Sequence, residues 1–205
     1  MKKRIICLLL AAAALFSLAS CGGGRYKTVK TVSDREYSIA FRNGDVTYHY
    51  IDGALRELSS DGTIDVLAQQ WLGGKAAVSF PGGKNALDKL GYIEPRVFTI
   101  GVDLSSFPLC QKSGNDYTGF DVELARAVCS KLGWQLQVQP IVSRDAYVEL
   151  NSGNIDCAWG GCVLDPESSS YTVLVTYMSD KLVVAAAGGG KSVLNGGSMY
   201  MGTDQ

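Results

Sequence analysis

The sequence predicts an α/β fold in which a mostly parallel sheet is flanked by helices. The segment "VFTIGVD" (97–103) is a compact apolar strand, and "GFDVELARAVCSKLGW" (119–134) has the apolar period of a helix. The next segment, "QLQVQPI" (135–141), alternates as a strand does. Because strands that alternate with helices are joined by right-handed crossovers, the sheet is expected to be parallel.

The helix in 119–134 and the elements after it indicate at which edge of the sheet a ligand would bind. Leu124, Ala125, Val128 and Leu132 share one helical face, and Gly133 follows as a stop. A short helix, "RDAYVELNSG", and the strands "IDCAW" and "KLVVAAA" complete the alternation. Ligands of such sheets bind beyond the carboxyl ends of the strands. Those ends are "DLSSFP" and "GGCVLDPESS".

A helix with the features of a domain end lies unexpectedly early in the chain. In "DGTIDVLAQQWLGG" (61–74), Ile64, Leu67, Ala68 and Trp71 form one apolar stripe, and two glycines follow. Most of the chain comes after this segment.

The first residues have the pattern of a secretory signal peptide, assigned to 1–20. Lys2, Lys3 and Arg4 precede a short apolar run, and "LASC" ends it at Cys21. This ending resembles a bacterial lipobox, in which the cysteine is acylated, so Cys21 is expected to anchor the protein on the outer face of the bacterial cell membrane. An ordinary signal peptide with a chance cysteine is the alternative.

Composition limits the partners and cofactors. The net charge is −1 and basic residues form no run beyond the first residues, so nucleic acid is an improbable partner and a small molecule is favoured. The chain has one histidine, His49, and no Cys-x-x-Cys pair, so neither a metal nor a cofactor is expected. Four cysteines are expected to be small core residues: Cys110, Cys129, Cys157 and Cys162.

Several motifs then agree, in order and spacing, with a known family. "IGVDLSSFPLC", "YTGFDVELARAVCSKLGW", "LNSGNIDCAWGG" and the later Pro-Glu and tyrosine resemble the first lobe of the extracellular solute-binding proteins of amino-acid ABC importers, a type 2 periplasmic-binding fold. This resemblance covers about 97–187. Residues 37–73 are similar to the C-terminal end of the same proteins, where a returning strand and two helices complete the first lobe.

The resemblance implies a circularly permuted order with the family's C-terminal segment placed first. After the signal peptide, 21–36 is expected to be a tether and 74–96 a linker between the two similar segments. A glycine-rich crossover and a truncated second lobe are expected in 188–205. A rearranged, an engineered and a misassembled gene are all compatible with this order.

The resemblance also implies which residues contact the ligand. Asp103 and Phe107 match the family's acid and aromatic after the first strand, and Ser143 stands at its second aromatic. Gly161, beside Gly160, matches the glycine of a Gly-x-Thr-x-Thr-x-x-Arg segment that holds the ligand carboxylate. The threonine and arginine positions of that segment hold Val163, Asp165 and Ser168. Weak binding of α-amino acids is therefore expected.

Each of these residues also has a structural interpretation. Asp103 and Asp165 are equally compatible with capping of turns, and Phe107 is more typical of a core. The glycine pair is compatible with close approach of two chain segments. Asp121 and Glu123, in the first turn of a helix, are interpreted as structural.

The predicted function is a membrane-anchored extracytoplasmic solute-binding component of an ABC importer, for amino acids or similar small polar solutes. Its partners would be the solute, the ABC permease and the membrane reached by the lipid. A non-binding remnant lobe is the alternative. A dehydratase-like enzyme on the same fold is less favoured, since Asp103 and Asp165 have no Glu or His beside them.

Overall fold

The computed structural model describes residues 26–187. The expected signal peptide, Cys21, the start of the tether and the segment 188–205 lie outside the described residues. The chain divides into a compact unit of 34–180 and a second unit whose described residues are 26–33 and 181–187. The regular elements, in chain order, are β1 (Tyr26–Phe41), α1 (Tyr48–Ser60), α2 (Thr63–Leu72), β2 (Val97–Val102), β3 (Gln111–Ser113), β4 (Asp116–Thr118), α3 (Phe120–Leu132), β5 (Gln135–Pro140), α4 (Ala146–Ser152), β6 (Cys157–Ala158) and β7 (Thr172–Ala187).

The central sheet has the strand order β5-β2-β6-β1-β7. Strand β2 runs parallel to β5 and to β6, as the alternation of strands and helices predicted. Strand β1 is antiparallel to β6, with Ala40 paired to Ala158 and Phe41 to Cys157. The predicted α/β fold is confirmed, and β1 is the strand that joins β6 to β7 in the sheet.

The larger core lies on one face of the sheet. Strand alternation directs Ile39 and Phe41 of β1 to this face together with Phe98 and Ile100 of β2, and all four side chains are fully buried. Helices α1, α2 and α3 cover it, and α1 and α2 both contact α3. The opposite face carries a smaller core against α4, built from Ala40, Ala146, Leu150, Ile155, Ala158, Cys162 and Leu164.

The helices end where the sequence predicts. Gly73, Gly133 and Gly153 follow α2, α3 and α4, and each adopts a left-handed conformation with φ of 75°, 70° and 77°. In the α2 stripe, Ile64 and Ala68 are buried, whereas Leu67 and Trp71 are only half-buried.

Two strands are longer than predicted. Strand β1 begins at Tyr26, inside the segment 21–36 that the sequence analysis assigns to a tether. Strand β7 begins at Thr172, upstream of the predicted "KLVVAAA". Both extensions contain β-branched residues in quick succession, as in "TVKTV" and "TVLVT", which favour extended backbone.

The segment 74–96 contains two short 3₁₀ turns, Lys75–Ala77 and Leu87–Lys89. It is held against α1. The backbone amide of Gly83 donates to the Arg56 carbonyl at 3.0 Å, and that of Leu87 donates to Glu57 Oε1 at 3.0 Å. These bonds make the linker part of the helical layer.

Within residues 26–187, no helix combines the length and apolarity required to cross a membrane. Trp134 and Trp159 are buried in the larger core. The four cysteines of the described segment are buried with free thiols: Cys110, Cys129, Cys157 and Cys162.

Candidate functional site

Three loops meet at the carboxyl edge of the parallel strands. Asp103 directly follows β2, Ser143 lies in the turn after β5, and Gly160 follows β6. Because β2 is parallel to both of its neighbours, the three loops leave the sheet on the same side. The parallel order of the strands thus brings predicted site residues from three separate segments to one edge.

Both carboxylate oxygens of Asp103 accept hydrogen bonds from groups of the protein itself. Its Oδ1 accepts from the amide and the hydroxyl of Ser105 at 3.1 and 2.6 Å. Its Oδ2 accepts from the amide and the hydroxyl of Ser143 at 2.9 and 2.7 Å. Partial burial acts to raise the pKa of Asp103, but these bonds outweigh it and hold the pKa below its usual value. The carboxylate therefore stays ionised and ties two loops together, which supports the capping interpretation.

Ser143 connects two other predicted residues. Besides donating to Asp103, its hydroxyl accepts from the backbone amide of Val163 at 3.3 Å. The structure thus joins Asp103, Ser143 and Val163 in one chain of hydrogen bonds. Ser143 serves as a bridge between loops, a role that its position in the sequence did not predict.

Gly160 and Gly161 allow the segments that contain Val102 and Ser106 to approach closely, as their structural interpretation requires. Gly160 and Gly161 have φ of 117° and 65°, which favour glycine. A Cβ at Gly160 would lie 2.4 Å from a methyl of Val102, and one at Gly161 would lie 2.4 Å from the Cβ of Ser106. The carbonyls of the pair accept from the Asp103 amide at 2.8 Å and from the Ser106 hydroxyl at 2.9 Å.

Asp121 supports the glycine pair from the core. Its side chain is fully buried, and its Oδ2 accepts from the Gly161 amide and from the Tyr177 hydroxyl, both at 2.7 Å. Burial raises the pKa of Asp121 to about 7, although the hydrogen bonds from Tyr177 and Gly161 act to lower it.

The structural role expected of Asp121 is therefore correct, and it depends on burial and on bonds to Gly161 and Tyr177 as well as on the position in the first turn of a helix. The sequence contained an indication that Asp121 would be buried. Asp121 stands between Phe120 and Val122 at the start of an amphipathic helix, and both neighbours are buried. Glu123, in contrast, is half-buried and accepts from the Thr118 hydroxyl at 3.1 Å.

Phe107 is not a core residue. Its side chain is 62% exposed, so the interpretation of Phe107 as core is wrong. Three further apolar side chains of the loops at this edge are exposed: Leu104, Val142 and Val163. Val142 adjoins Ser143 in the chain, and Ser143 binds the Val163 amide, so the loops present apolar surface next to the Asp103 bridge.

Asp165 and Ser168 form a self-contained turn. Asp165 Oδ1 accepts from the Glu167 amide at 3.0 Å, and the Asp165 carbonyl accepts from the Ser168 amide at 3.2 Å. The Ser168 hydroxyl accepts from the Ser170 amide at 3.2 Å. This arrangement supports the capping interpretation of Asp165 and leaves Ser168 as part of the same turn.

The amides that would have to hold a ligand carboxylate already have acceptors. Each of five amides in 161–168 donates inside the protein: Gly161 to Asp121, Val163 to Ser143, Asp165 to the Tyr171 hydroxyl, Glu167 to Asp165 and Ser168 to the Asp165 carbonyl. An anion would have to break these bonds to gain the same donors. No arginine stands in 159–170 to replace them.

The Cys110 thiol beside the site is held in its protonated form. Cys110 Sγ donates to the Asp103 carbonyl at 2.8 Å, and burial raises the pKa of this thiol to about 12. In the described part of the chain, no group of three or more His, Cys, Asp or Glu side chains is placed to hold a metal ion.

Two comparisons with known proteins bear on this site. Residues 98–196 match the model of the bacterial extracellular solute-binding proteins, family 3. The arginine-binding extracellular protein ArtP of Bacillus subtilis (strain 168) is 28% identical over 88 residues, which are 42% of this chain and 34% of that protein. The chain thus spans about a third of the length of this curated relative. Residues 98–196 are therefore similar to the family 3 bacterial extracellular solute-binding proteins, and the resemblance stated from the sequence is confirmed.

Proposed function

We propose that the protein is the extracytoplasmic solute-binding component of an ABC importer and that the loops around Asp103 form one wall of its solute site. A single observation carries this proposal. The segment that matches the solute-binding family, 98–196, contains all three loops that meet at the carboxyl edge of the sheet. That edge is where open α/β sheets bind ligands.

The site residues of this wall are Asp103, Phe107, Ser143, Gly160, Gly161, Val163, Asp165 and Ser168. We assign them two kinds of role. Phe107 and Val163 are exposed and would contact the solute, whereas Asp103, Ser143 and the glycine pair shape the wall through their mutual hydrogen bonds. The arginine named in the relative's description makes a cationic solute the first candidate.

The permuted order is part of the proposal. Residues 37–73 would take the place of the family's returning strand and final two helices. Strand β1 lies between β6 and β7 and is antiparallel to β6, and α1 and α2 pack against α3. These positions are those that a returning strand and two terminal helices of the same lobe would need.

Anchoring and partners complete the proposal. Cys21 would carry the lipid that holds the protein at the outer face of the membrane, and an ABC permease would receive the solute. The comparisons favour a binding protein over an enzyme. The geometry supports this as well, because Asp103 accepts four hydrogen bonds and its pKa is lowered, which suits a fixed anion and not a general acid.

A thermal-shift screen on the soluble form, residues 25–205, tests the proposal. A ligand that binds only the native state raises the melting temperature. The screen should contain amino acids, amines and guanidines, and each solute that raises the melting temperature should be titrated by calorimetry. Gly161→Ala is the matched variant, since its Cβ would collide with Ser106 and distort the wall. If no solute binds, the chain is better described as a non-binding lobe.

A further inference from the structure

The candidate wall carries excess negative charge. The loops 103–110, 141–145 and 159–170 contain Asp103, Asp145, Asp165 and Glu167 against one basic residue, Arg144. Arg144 contacts Asp145 at 3.7 Å, so these two charges offset each other, and Asp103, Asp165 and Glu167 remain as the excess. Asp103 is held ionised by its hydrogen bonds, and Asp165 and Glu167 are exposed. This charge favours a cation and opposes an anion.

The same wall offers an aromatic face. Phe107 is 62% exposed, and the exposed side chains of Leu104, Val142 and Val163 belong to the same three loops. A cation is attracted to the face of an aromatic ring, most strongly where water is excluded. Exposed apolar side chains at a binding edge would in turn cover the hydrocarbon part of a ligand.

A ligand carboxylate, in contrast, finds five amides of the turn already bonded within the protein. The amides of Gly161, Val163 and Asp165 donate to Asp121, Ser143 and Tyr171, respectively. Those of Glu167 and Ser168 both donate to Asp165. A carboxylate placed here would meet the negative charge of Asp165 and would have to compete with the acceptors that these five amides already have.

We infer that this wall binds organic cations that lack a carboxylate, that is, amines or guanidines on an apolar chain. The inference rests on the proposed solute-binding function and narrows its ligand class. The cationic group would lie over the Phe107 ring, at an edge that carries the negative charges of Asp103 and Asp165, and the hydrocarbon chain would lie on Val142 and Val163. Arginine shares the cation with such ligands but adds the carboxylate that the turn cannot hold.

Matched ligands make the inference testable. Residues 25–205 are titrated by calorimetry with agmatine, with arginine and with arginine amide, which differ at the carboxyl position and share the guanidinium. Agmatine and arginine amide are expected to bind at least about tenfold more tightly than arginine, since an unpaired buried carboxylate costs at least one strong hydrogen bond. The affinity of agmatine should also fall as salt rises.

Two substitutions locate the site. Phe107→Leu removes the ring and Asp165→Asn removes a charge, and each should weaken agmatine binding several-fold. Asp65→Asn, at an exposed carboxylate of α2, makes the same change of charge away from the wall and should leave binding unchanged. Circular dichroism spectra of the variants establish that each is folded.

The possible results separate this inference from the proposed function. Arginine that binds as tightly as agmatine overturns the inference and leaves solute binding intact. Agmatine binding that Phe107→Leu and Asp165→Asn leave unchanged also overturns it, because the cation then binds elsewhere. If none of the three ligands binds and the wider solute screen is also negative, both the inference and the proposed function fail.

Discussion

The Tyr177 hydroxyl donates a 2.7 Å hydrogen bond to Asp121 Oδ2, which joins β7 to the first turn of α3 in the core. The same oxygen accepts the Gly161 amide, while Asp121 Oδ1 has no hydrogen-bond partner. The indole N–H of Trp159 lies near enough to lower the Asp121 pKa but makes no aligned hydrogen bond. The buried carboxyl is therefore only partly satisfied.

Asp121 should make stability depend on pH. Its pKa is raised from 3.8 to about 7 by burial, so the native state keeps this proton over a range in which the unfolded chain releases it. The stability from this group is fully present below about pH 4 and is lost as pH rises through about 7. Urea unfolding of residues 25–205 at several pH values should show this fall.

Two variants assign that pH dependence to Asp121. Asp121→Asn removes the titrating group and should flatten the curve between about pH 4 and 7. Tyr177→Phe removes a donor that lowers the Asp121 pKa, so the upper end of the fall should move to higher pH. An Asp121→Asn curve with the same slope as the original would contradict the assignment.

The ion pair between Arg35 and Asp180 should stabilise the edge of the sheet. The guanidinium binds both carboxylate oxygens, at 2.7 and 2.5 Å, and the Tyr37 hydroxyl donates to Asp180 at 3.2 Å. Because both charged side chains are mostly buried, removing one partner leaves the other uncompensated.

Asp180→Asn is therefore expected to cost about 1 to 3 kcal/mol in denaturant unfolding. Asp145→Asn is the matched control, since its partner Arg144 is 83% exposed and such pairs contribute less than about 1 kcal/mol. Equal effects of the two substitutions would show that the Arg35 pair adds nothing to stability.

Leucine truncations in the two N-terminal helices should differ in cost. Leu55 of α1 is only 2% exposed, whereas Leu67 of α2 is half-buried. Leu55→Ala should lower the free energy of unfolding by about 2 to 5 kcal/mol, the range for a buried leucine. Leu67→Ala should cost less, because part of that side chain remains in water. A larger loss for Leu67→Ala would argue against this packing.

Deletion of residues 25–74 tests the permuted order. Without them, β6 loses its neighbour β1, and α3 loses the helices that cover it. The fragment 75–205 is therefore expected to lose cooperative unfolding, and a separately produced fragment 26–74 should restore it on mixing. A remainder that unfolds cooperatively with unchanged stability would contradict the proposed role of the N-terminal segment.

The lipid anchor is tested at Cys21. In a bacterial host the full chain should partition into the detergent phase, and Cys21→Ser should release it or block its processing. Cys110→Ser, at a buried thiol, is the control and should leave partitioning unchanged wherever the variant folds. Mature wild-type protein with an unmodified Cys21 would refute the anchor.

The sequence by itself determined the ends of α2, α3 and α4, strand β2 and the edge of the sheet at which loops were expected. Periods of apolar residues and the glycines that end α2, α3 and α4 are local signals, because a helix boundary depends on a few neighbouring residues. The parallel sheet follows from the alternation of these elements. Hence the helix ends, the strand β2 and the meeting of the loops that contain Asp103 and Gly160 were predictable, whereas Ser143 was indicated by the family resemblance alone.

Only the tertiary structure decided the state of the polar and apolar groups at that edge. The bonds from Ser143 to Asp103 and from Gly161 to Asp121 each span 40 positions in the chain, so no local pattern contains both partners. The exposure of Phe107 and the burial of Asp121 likewise depend on which segments pack around them. Burial and hydrogen bonding are properties of neighbours in space, and the neighbours of these residues are distant in sequence.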